Sequence, residues 1–453
     1  MSSQRQRIDP PRLAAYDVLR AVSEDDSYSN LVLPSLLRER EIVGRDAAFA
    51  TELTYGTLRW QGLYDEILST LVSRPLDELD PGIVEILRMG AHQILSMRVP
   101  EHAAVSSSVD LARTVMTAGP SAMVNAVLRK VTHSTREQWV EIITHSIADP
   151  IAKRAVAWSH PRWVVSAFHD ALRGDLVGLD ALLEADNTPA SVTLVARPGR
   201  STQQDLIDAG AEPGKYSPLA AVLNSGDPGA LDAVRSGDIG VQDEGSQLVT
   251  LALAAVELET ENAWLDMCAG PGGKAALLAG LAREHHTSLL ANELHQHRAD
   301  LVEQALRNSG ADFDIVVGDA TQGHWPRDHF DRVLVDAPCT GLGALRRRPE
   351  ARWRRSAEDV AGLTVLQKKL LNTALDSVRP GGVVAYVTCS PHLAETAFVV
   401  MDVLKGRSNI EAIDARPYFP GVPDLGDGPS VQLWPHLHGT DAMFVSLLRR
   451  DRS

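Results

Sequence analysis

The sequence has few cysteines, no long apolar run and no excess of basic residues. Three cysteines in 453 residues rule out a disulfide framework and fit a reducing cytosol. No apolar stretch approaches the roughly 18 residues that a membrane span requires, and the polar start at residues 1–7 lacks the apolar segment of a signal peptide. The net charge of −15 argues against coating of nucleic acid over the whole surface but allows a local basic site. We expect a cytoplasmic monomer without membrane contact.

The length and the local patterns predict three domains. Residues 1–147 read as successive helices, and Asp80-Pro81 supplies an N-cap and a first-turn proline for one of them. Residues 148–235 are rich in glycine and proline and predict a small α+β linker domain. In residues 236–453, short β-rich runs alternate with helical patterns, which predicts a mostly parallel, doubly wound sheet. The predicted strands of that sheet are residues 263–267, 288–291, 315–317, 332–335 and 383–388.

A glycine-rich turn, Cys-Ala-Gly-Pro-Gly-Gly-Lys at residues 268–274, follows the first of these strands and opens a helix. It is neither a dinucleotide fingerprint nor a phosphate loop, and alone it indicates no more than a tight turn. Glu293 follows the second strand, where an acid typically binds ribose hydroxyls, and Asp319 follows the third, where it could reach an adenine edge. A nucleoside pocket without a phosphate site favours S-adenosylmethionine over NAD or ATP. Lys274 would then face the methionine carboxylate.

All three cysteines lie in the last domain, and their spacing gives no zinc motif. His295 and His297 lack further nearby ligands, so we expect no metal. Cys268 suits the role of a small buried apolar residue. Cys339, in Asp-Ala-Pro-Cys-Thr-Gly, and Cys389, in Thr-Cys-Ser-Pro, each follow a predicted strand beside the cofactor turn, which favours a chemical role.

These motifs resemble the RNA cytosine-5 methyltransferases. The whole chain is similar to the Sun/Fmu (RsmB-type) family of 16S rRNA methyltransferases, which joins a NusB-like helical domain to a NOL1/NOP2/Sun-type catalytic domain. Residues 45–49, 55–59, 100–105 and 124–129 resemble its helical part, and residues 241–247 and 439–444 its catalytic part. Lys274 is followed by Ala275 instead of the family's usual threonine-containing ending. Glu395 is kept, but Thr396 and Ala397 stand where Asn-Glu is common.

The resemblance implies a covalent mechanism with Cys389 as the nucleophile, Cys339 assisting release and Asp336 hydrogen-bonding the cytosine ring. Carbon 5 of cytosine accepts a methyl group only after a thiolate adds at carbon 6. Spacing alone does not decide which cysteine attacks. The cofactor would be held by Cys268, Ala269, Gly270, Pro271, Gly272, Gly273, Lys274, Glu293, Arg298, Asp319 and Asp336.

A basic segment at residues 346–355 contains six arginines and one tryptophan. This composition is typical of an exposed charged loop. Guanidinium groups beside an aromatic ring are equally typical of phosphate contact and base stacking. We predict RNA contact, and the residues concerned are Arg346, Arg347, Arg348, Arg352 and Trp353.

The sequence thus predicts an S-adenosylmethionine-dependent cytosine-5 methyltransferase of 16S rRNA. One alternative is a tRNA cytosine-5 methyltransferase with the same residues. Another is a NusB-like RNA-binding or antitermination factor with a vestigial enzyme domain, which the presence of Asp336, Cys339 and Cys389 disfavours. The N-terminal helices could dock RNA or only stabilise the protein. The target nucleotide, and whether naked RNA or an assembling particle is the substrate, stay open.

Overall fold

The computed structural model describes residues 9–116, 119–224 and 226–452. They form two compact units. The helical unit contains the described residues up to 169 together with residues 179–188 and 345–354. The sheet unit contains residues 170–178, the described part of 189–344, and residues 355–452. None of the helices in these residues combines the length and the apolar character that a bilayer crossing demands.

The first eleven helices and a short later one supply most of the helical unit. Their bounds are α1 Pro10–Glu24, α2 Ser29–Glu39, α3 Gly44–Arg59, α4 Gln61–Ser69, α5 Pro81–Leu95, α6 Glu101–Val115, α7 Pro120–Val131, α8 Arg136–Thr144, α9 Pro150–Ala157, α10 Arg162–Ala171, α11 Leu176–Asp186 and α17 Ala351–Arg354. The predicted cap of α5 is present, since the Asp80 carboxylate accepts from the Gly82 amide at 2.8 Å. Apolar faces of α1 and α3 to α7 form one core, in which Leu19, Leu63 and Leu87 are almost fully buried. The NusB-like all-α prediction is confirmed.

Helices continue well past residue 147, and residues 170–178 and the described part of 189–235 from the predicted linker share the sheet unit with most of the predicted catalytic domain. The first part of that unit is a small antiparallel sheet in the order β2-β3-β1-β4. Its strands are β1 Val192–Ala196, β2 Glu212–Pro213, β3 Ala220–Leu223 and β4 Ile239–Val241, with helices α12 Gln203–Asp208 and α13 Asp232–Arg235. The division into three domains stays a prediction, because the two compact units do not correspond one to one with the three predicted domains.

The large sheet has the strand order β10-β12-β9-β8-β5-β6-β7, with β11 paired to β12. Its strands are β5 Ala263–Asp266, β6 Ser288–Glu293, β7 Phe313–Val317, β8 Phe330–Asp336, β9 Val378–Thr388, β10 Ile410–Ile413, β11 Val431–Gln432 and β12 Phe444–Arg450. Strands β5 to β9 are parallel, and β10 to β12 pair antiparallel at one edge. The doubly wound prediction is therefore confirmed, and all five predicted strands are present.

Helices cover both faces of the large sheet. They are α14 Glu244–Ala255, α15 Gly273–Glu284, α16 Gln296–Leu306, α18 Ala357–Ser377, α19 Ala397–Leu404 and α20 Pro435–His438. Residues of α14, α15 and α16 pack with Trp264 in one core, and residues of α18 and α19 pack with Leu265 in another. Since adjacent residues of β5 point to opposite faces, one strand serves both cores. The chain order reverses between β5 and β8, so their carboxyl ends flank the crevice where such sheets bind ligands.

Candidate active site

The turn between β5 and α15 depends on two glycines. Gly272 has φ +109°, and a Cβ there would lie 2.8 Å from the Cβ of Ala305 on α16. The Gly270 amide donates to Oε2 of Glu293 at 3.0 Å, and a Cβ at residue 270 would lie 2.2 Å from that oxygen. Only glycine allows such close approach at both positions, and Gly272 in addition has the left-handed backbone conformation that glycine favours. The turn is thus built against the end of β6 and the side of α16.

Glu293 and Arg298 fix the position of this turn. Glu293 ends β6, is 4% exposed, and uses its second oxygen to accept from the His295 amide at 3.2 Å. Arg298, on α16, donates from Nη2 to the Gly270 carbonyl at 2.5 Å and lies 3.7 Å from Glu293. Glu293 and Arg298, which the sequence predicted as cofactor-binding residues, therefore hold the glycine turn in place.

Two buried acceptors beneath the loop have no partner among the described residues. Asp266 Oδ2 at the end of β5 and Asn292 Oδ1 near the end of β6 each lack a hydrogen bond there. Burial, reinforced by the Asp336 carboxylate, raises the pKa of Asp266 to about 7. Unpaired buried acceptors are costly, and they suit the amino and hydroxyl donors of S-adenosylmethionine.

Cys268 and Asp319 occupy the positions that the sequence predicted at the ends of β5 and β7. Burial and the nearby Asp266 and Asp336 carboxylates hold the pKa of the Cys268 thiol well above its usual range, so this sulfur stays neutral. Asp319 is exposed and accepts from the Thr321 amide at 2.9 Å, which lowers its pKa. Its carboxylate thus caps the short turn that follows β7.

Lys274 and Asp336 form an ion pair across the crevice. Lys274 lies in the first turn of α15, Asp336 ends β8, and Nζ is 2.8 Å from Oδ2. Burial opposes the charge of Lys274, but the attraction of Asp336 outweighs it and raises the pKa of the amine. The methionine carboxylate was the predicted partner of Lys274, and here the amine bonds Asp336.

The two cysteines predicted at neighbouring strand ends are in contact. Strands β8 and β9 are parallel neighbours, and Sγ of Cys339 lies 3.4 Å from Sγ of Cys389. The hydrogen bond between the two thiols lowers the pKa of Cys389 and, together with burial, raises that of Cys339 well above its usual range. Cys389 is therefore the sulfur that carries negative charge more readily.

Sequence reasoning gave no role to Glu395, which lies between these two cysteine loops. This glutamate is fully buried, and its carboxylate accepts from the Thr340 amide at 2.8 Å and from the Ser390 hydroxyl at 2.8 Å. Its place after the Thr-Cys-Ser motif was the only sequence signal. A buried acid cannot be told from a solvated one by sequence alone.

The basic segment at residues 346–355 divides between buried and exposed side chains. Arg352 is fully buried in the helical unit, and burial lowers its pKa to about 9. Its guanidinium donates at 2.8–3.1 Å to four acceptors, which are the carbonyls of Arg59, Ser159 and Asp186 and the side chain of Asn187. Arg352 thus stabilises that unit instead of facing phosphate as predicted.

The neighbours of Arg352 are placed differently. Arg346 is buried, and its carbonyl accepts from Arg59 at 3.4 Å. Arg347 is half-buried, while Arg348 is exposed with its guanidinium 5.6 Å from the Tyr28 ring centre. Trp353 is 39% exposed. The exposed side chains of the segment are therefore Arg348, Trp353 and Arg355, and two cations beside an indole ring suit nucleic-acid contact.

Parallel strands with a glycine turn at the switch point place the sheet unit in the class of Rossmann-like domains, which bind a ligand at the carboxyl ends of their strands. Residues 252–449 match the family described as 16S rRNA methyltransferase RsmB/F, and residues 9–133 match the NusB family. A Mycobacterium tuberculosis protein named as a methyltransferase is 50% identical over 452 residues, 99% of this chain and 98% of its own length. Ribosomal RNA small subunit methyltransferase B of Pseudomonas syringae pv. tomato is 30% identical over 413 residues, 89% of this chain and 88% of its own. The chain belongs to the RsmB family of ribosomal RNA methyltransferases.

Solved structures agree on the fold. The crystal structure of PH0851 has a TM-score of 0.81 at 20% identity and covers 99% of this chain and 100% of its own. NSun6 from Pyrococcus horikoshii, solved with SFG, has a TM-score of 0.55 at 17% identity and covers 65% of this chain and 99% of its own. At such identities the likeness establishes the architecture alone.

Proposed function

We propose that this enzyme methylates carbon 5 of a cytosine in 16S rRNA, through a covalent bond between Cys389 and carbon 6 of the base. The observation that carries this proposal is the contact of Cys339 with Cys389 beside the Lys274–Asp336 pair. Two contacting thiols flanked by an ion pair at the ligand-binding edge of a sheet fit addition and elimination at one base.

Cys389 is assigned as the nucleophile because its thiolate is stabilised. The Cys339 thiol donates to its sulfur, and the Lys274 cation also favours the charged form, against burial and the carboxylates of Asp336 and Asp441. A lowered pKa increases the fraction of thiolate at neutral pH. Cys339 keeps its proton and is placed to exchange it later.

Asp336 and Lys274 are assigned to the cytosine ring. Lys274 binds Oδ2 of Asp336, while Oδ1 accepts no hydrogen bond from the described residues. As Cys389 adds at carbon 6, a proton moves from the Lys274 ammonium through the carboxyl group of Asp336 to N3, and carbon 5 becomes nucleophilic. The Lys274–Asp336 pair takes that proton back when the carbon–sulfur bond breaks.

S-adenosylmethionine supplies an electrophilic methyl group on a sulfonium, and carbon 5 receives it. Cys339 then takes up the carbon 5 proton while it passes its own proton to the sulfur of Cys389, which leaves as a thiol. The predicted loop from Cys268 to Lys274, together with Glu293, Arg298, Asp319 and Asp336, would hold this cofactor. The unpaired oxygens of Asp266 and Asn292 support that assignment.

RNA must present the target base unstacked for this chemistry, which favours a single-stranded or loop cytosine. Arg347, Arg348 and Trp353 are the residues of the basic segment that we assign to RNA contact. Arg346 and Arg352 are buried and are left out of that assignment.

Bisulfite sequencing of total RNA from a gene-deletion strain tests the proposal. We expect one 16S cytosine to lose its protection from bisulfite conversion in the deletion strain. The wild-type gene should restore this protection, and the gene for Cys389→Ala should not. Loss of protection at a tRNA cytosine would favour the tRNA alternative. An unchanged map would contradict cytosine-5 methylation.

A further inference from the structure

Glu395 joins the two loops that carry the cysteines. It ends the short turn Leu393–Glu395 between β9 and α19, and its carbonyl accepts from the Tyr386 hydroxyl at 2.8 Å. Oε1 accepts from the Thr340 amide at 2.8 Å and from Gln367 Nε2 at 3.1 Å. Oε2 accepts from the Ser390 hydroxyl at 2.8 Å and from the Thr340 hydroxyl. Four donors therefore converge on one fully buried carboxylate.

Three of these donors belong to the two residues next to the reactive sulfurs. Thr340 follows Cys339, Ser390 follows Cys389, and their hydroxyl oxygens are 3.1 Å apart. The ladder between β8 and β9 ends before both cysteines, with Asp336 paired to Val387. Hydrogen bonds to Glu395 thus connect the segments that follow β8 and β9 beyond the end of the sheet, where the two sulfurs are in contact.

The charge of Glu395 also acts differently on the two thiols. It lies near Cys339 and, after the hydrogen bond to Cys389 and burial, contributes to the raised pKa of that thiol. The charged groups that act most strongly on the pKa of Cys389 are Asp336, Lys274 and Asp441. A negative charge that acts more strongly on Cys339 than on Cys389 favours keeping the proton on Cys339.

We propose that Glu395 is the positioning residue of the two-cysteine centre, holding Cys339 against Cys389 and keeping the Cys339 thiol as the donor. Its meaning for catalysis rests on the proposed function. The arrangement itself is a property of the free enzyme and is measurable without RNA.

Thiol alkylation of the free full-length enzyme tests this proposal. Iodoacetamide is applied across pH 6–9, and mass spectrometry quantifies modification of Cys339 and Cys389 separately. In the wild type we expect Cys389 to react first. Glu395→Gln keeps the side-chain shape but removes the charge, and we expect the preference for Cys389 to fall about tenfold, the change that one pKa unit produces. Glu395→Asp, which restores the charge, should recover part of it.

Asp331→Asn is the matched control. Asp331 is also a fully buried carboxylate of the sheet unit, but it lies at the start of β8 and accepts from the amides of Asn262 and Ala263 at 2.6 and 2.8 Å. Its loss should lower the melting temperature while the alkylation preference stays unchanged. A merely structural role for Glu395 predicts the same pattern in Glu395→Gln, and that result would overturn the proposal.

Ser390→Ala provides a second variant if Glu395→Gln does not fold. It removes one donor and leaves the carboxylate charged, so we expect a smaller change in the same direction. No change in either variant contradicts the positioning role. Methylation by Cys389→Ala would instead refute the covalent mechanism, while a Glu395-dependent alkylation preference would still support the positioning role.

Discussion

Replacing Asp266 by Asn is expected to stabilise the free enzyme at pH 8 but not at pH 4. The carboxyl group is fully buried, its Oδ2 is unpaired among the described residues, and its pKa is raised from 3.8 to about 7. When the folded-state pKa exceeds the unfolded one, the group's contribution is fully present below the unfolded value. It is lost as the pH rises through the folded value. The window for Asp266 therefore runs from about pH 4 to pH 7.

The structure sets the size of this effect. Each pKa unit corresponds to about 1.4 kcal/mol, so the rise at Asp266 makes ionisation cost about 4 kcal/mol of folding free energy above pH 7. Asparagine keeps an oxygen for the Cys268 amide, which lies 3.3 Å from Asp266 Oδ1. For a domain of this size, the melting temperature at pH 8 should rise by an amount on the order of 10 °C.

Differential scanning calorimetry of both proteins at pH 4, 6 and 8 measures this difference. Groups that do not interact with Asp266 titrate equally in wild type and variant, so the difference reports on Asp266 and on the neighbours whose pKa it shifts. Asp331→Asn again serves as the control. Its carboxylate forms an ion pair with Arg379 and accepts hydrogen bonds from two backbone amides, so the variant should be less stable than the wild type at all three pH values. If Asp266→Asn lowers the melting temperature at pH 8 as much as at pH 4, the reasoning from burial is refuted.

Further predictions concern catalysis, cofactor and RNA. With RNA and S-adenosylmethionine, Cys339→Ala should accumulate a denaturation-resistant protein–RNA adduct on a gel and Cys389→Ala none; the reverse pattern would exchange their roles. Glu293→Ala should weaken the binding of S-adenosylmethionine, measured by calorimetry, by about 1–3 kcal/mol because hydrogen bonds are lost. An unchanged affinity would exclude a contact between Glu293 and the ribose. Arg352→Ala should lower the melting temperature of the helical unit, because its removal leaves buried carbonyls unpaired. Arg348→Ala should instead flatten the salt dependence of RNA binding without changing stability, and an unchanged salt slope would exclude phosphate contact.

Sequence alone predicted those parts of the site that follow from the parallel sheet. Carboxyl ends of neighbouring parallel strands meet at one edge, so a glycine turn after β5 and cysteines after β8 and β9 had to converge. The contact of Cys339 with Cys389 is the direct consequence. The edge strands β10 to β12 were not predicted, because they are short or lie far along the chain from the strands they pair with.

Interactions that depend on distant acceptors were not predictable. Arg352 belongs to a run of arginines that reads as solvated, and its burial depends on carbonyls of Arg59, Ser159 and Asp186, far away in sequence. Glu395 is similar, since its donors include Thr340 on another loop. Charge patterns show where ionisable groups occur, whereas burial is decided by packing of segments that the pattern does not connect.

The charges at the crevice explain why a cationic cofactor suits this site. Asp266, Glu293 and Asp336 lie at the ends of three adjacent strands, and Lys274 pairs with Asp336. Repulsion between Asp336 and Asp266 contributes to the raised pKa of Asp266. A sulfonium bound beside these carboxylates would relieve that repulsion and favour the ionised form of Asp266. Binding of S-adenosylmethionine should therefore release protons near neutral pH, a coupling that a neutral analogue would reproduce only weakly.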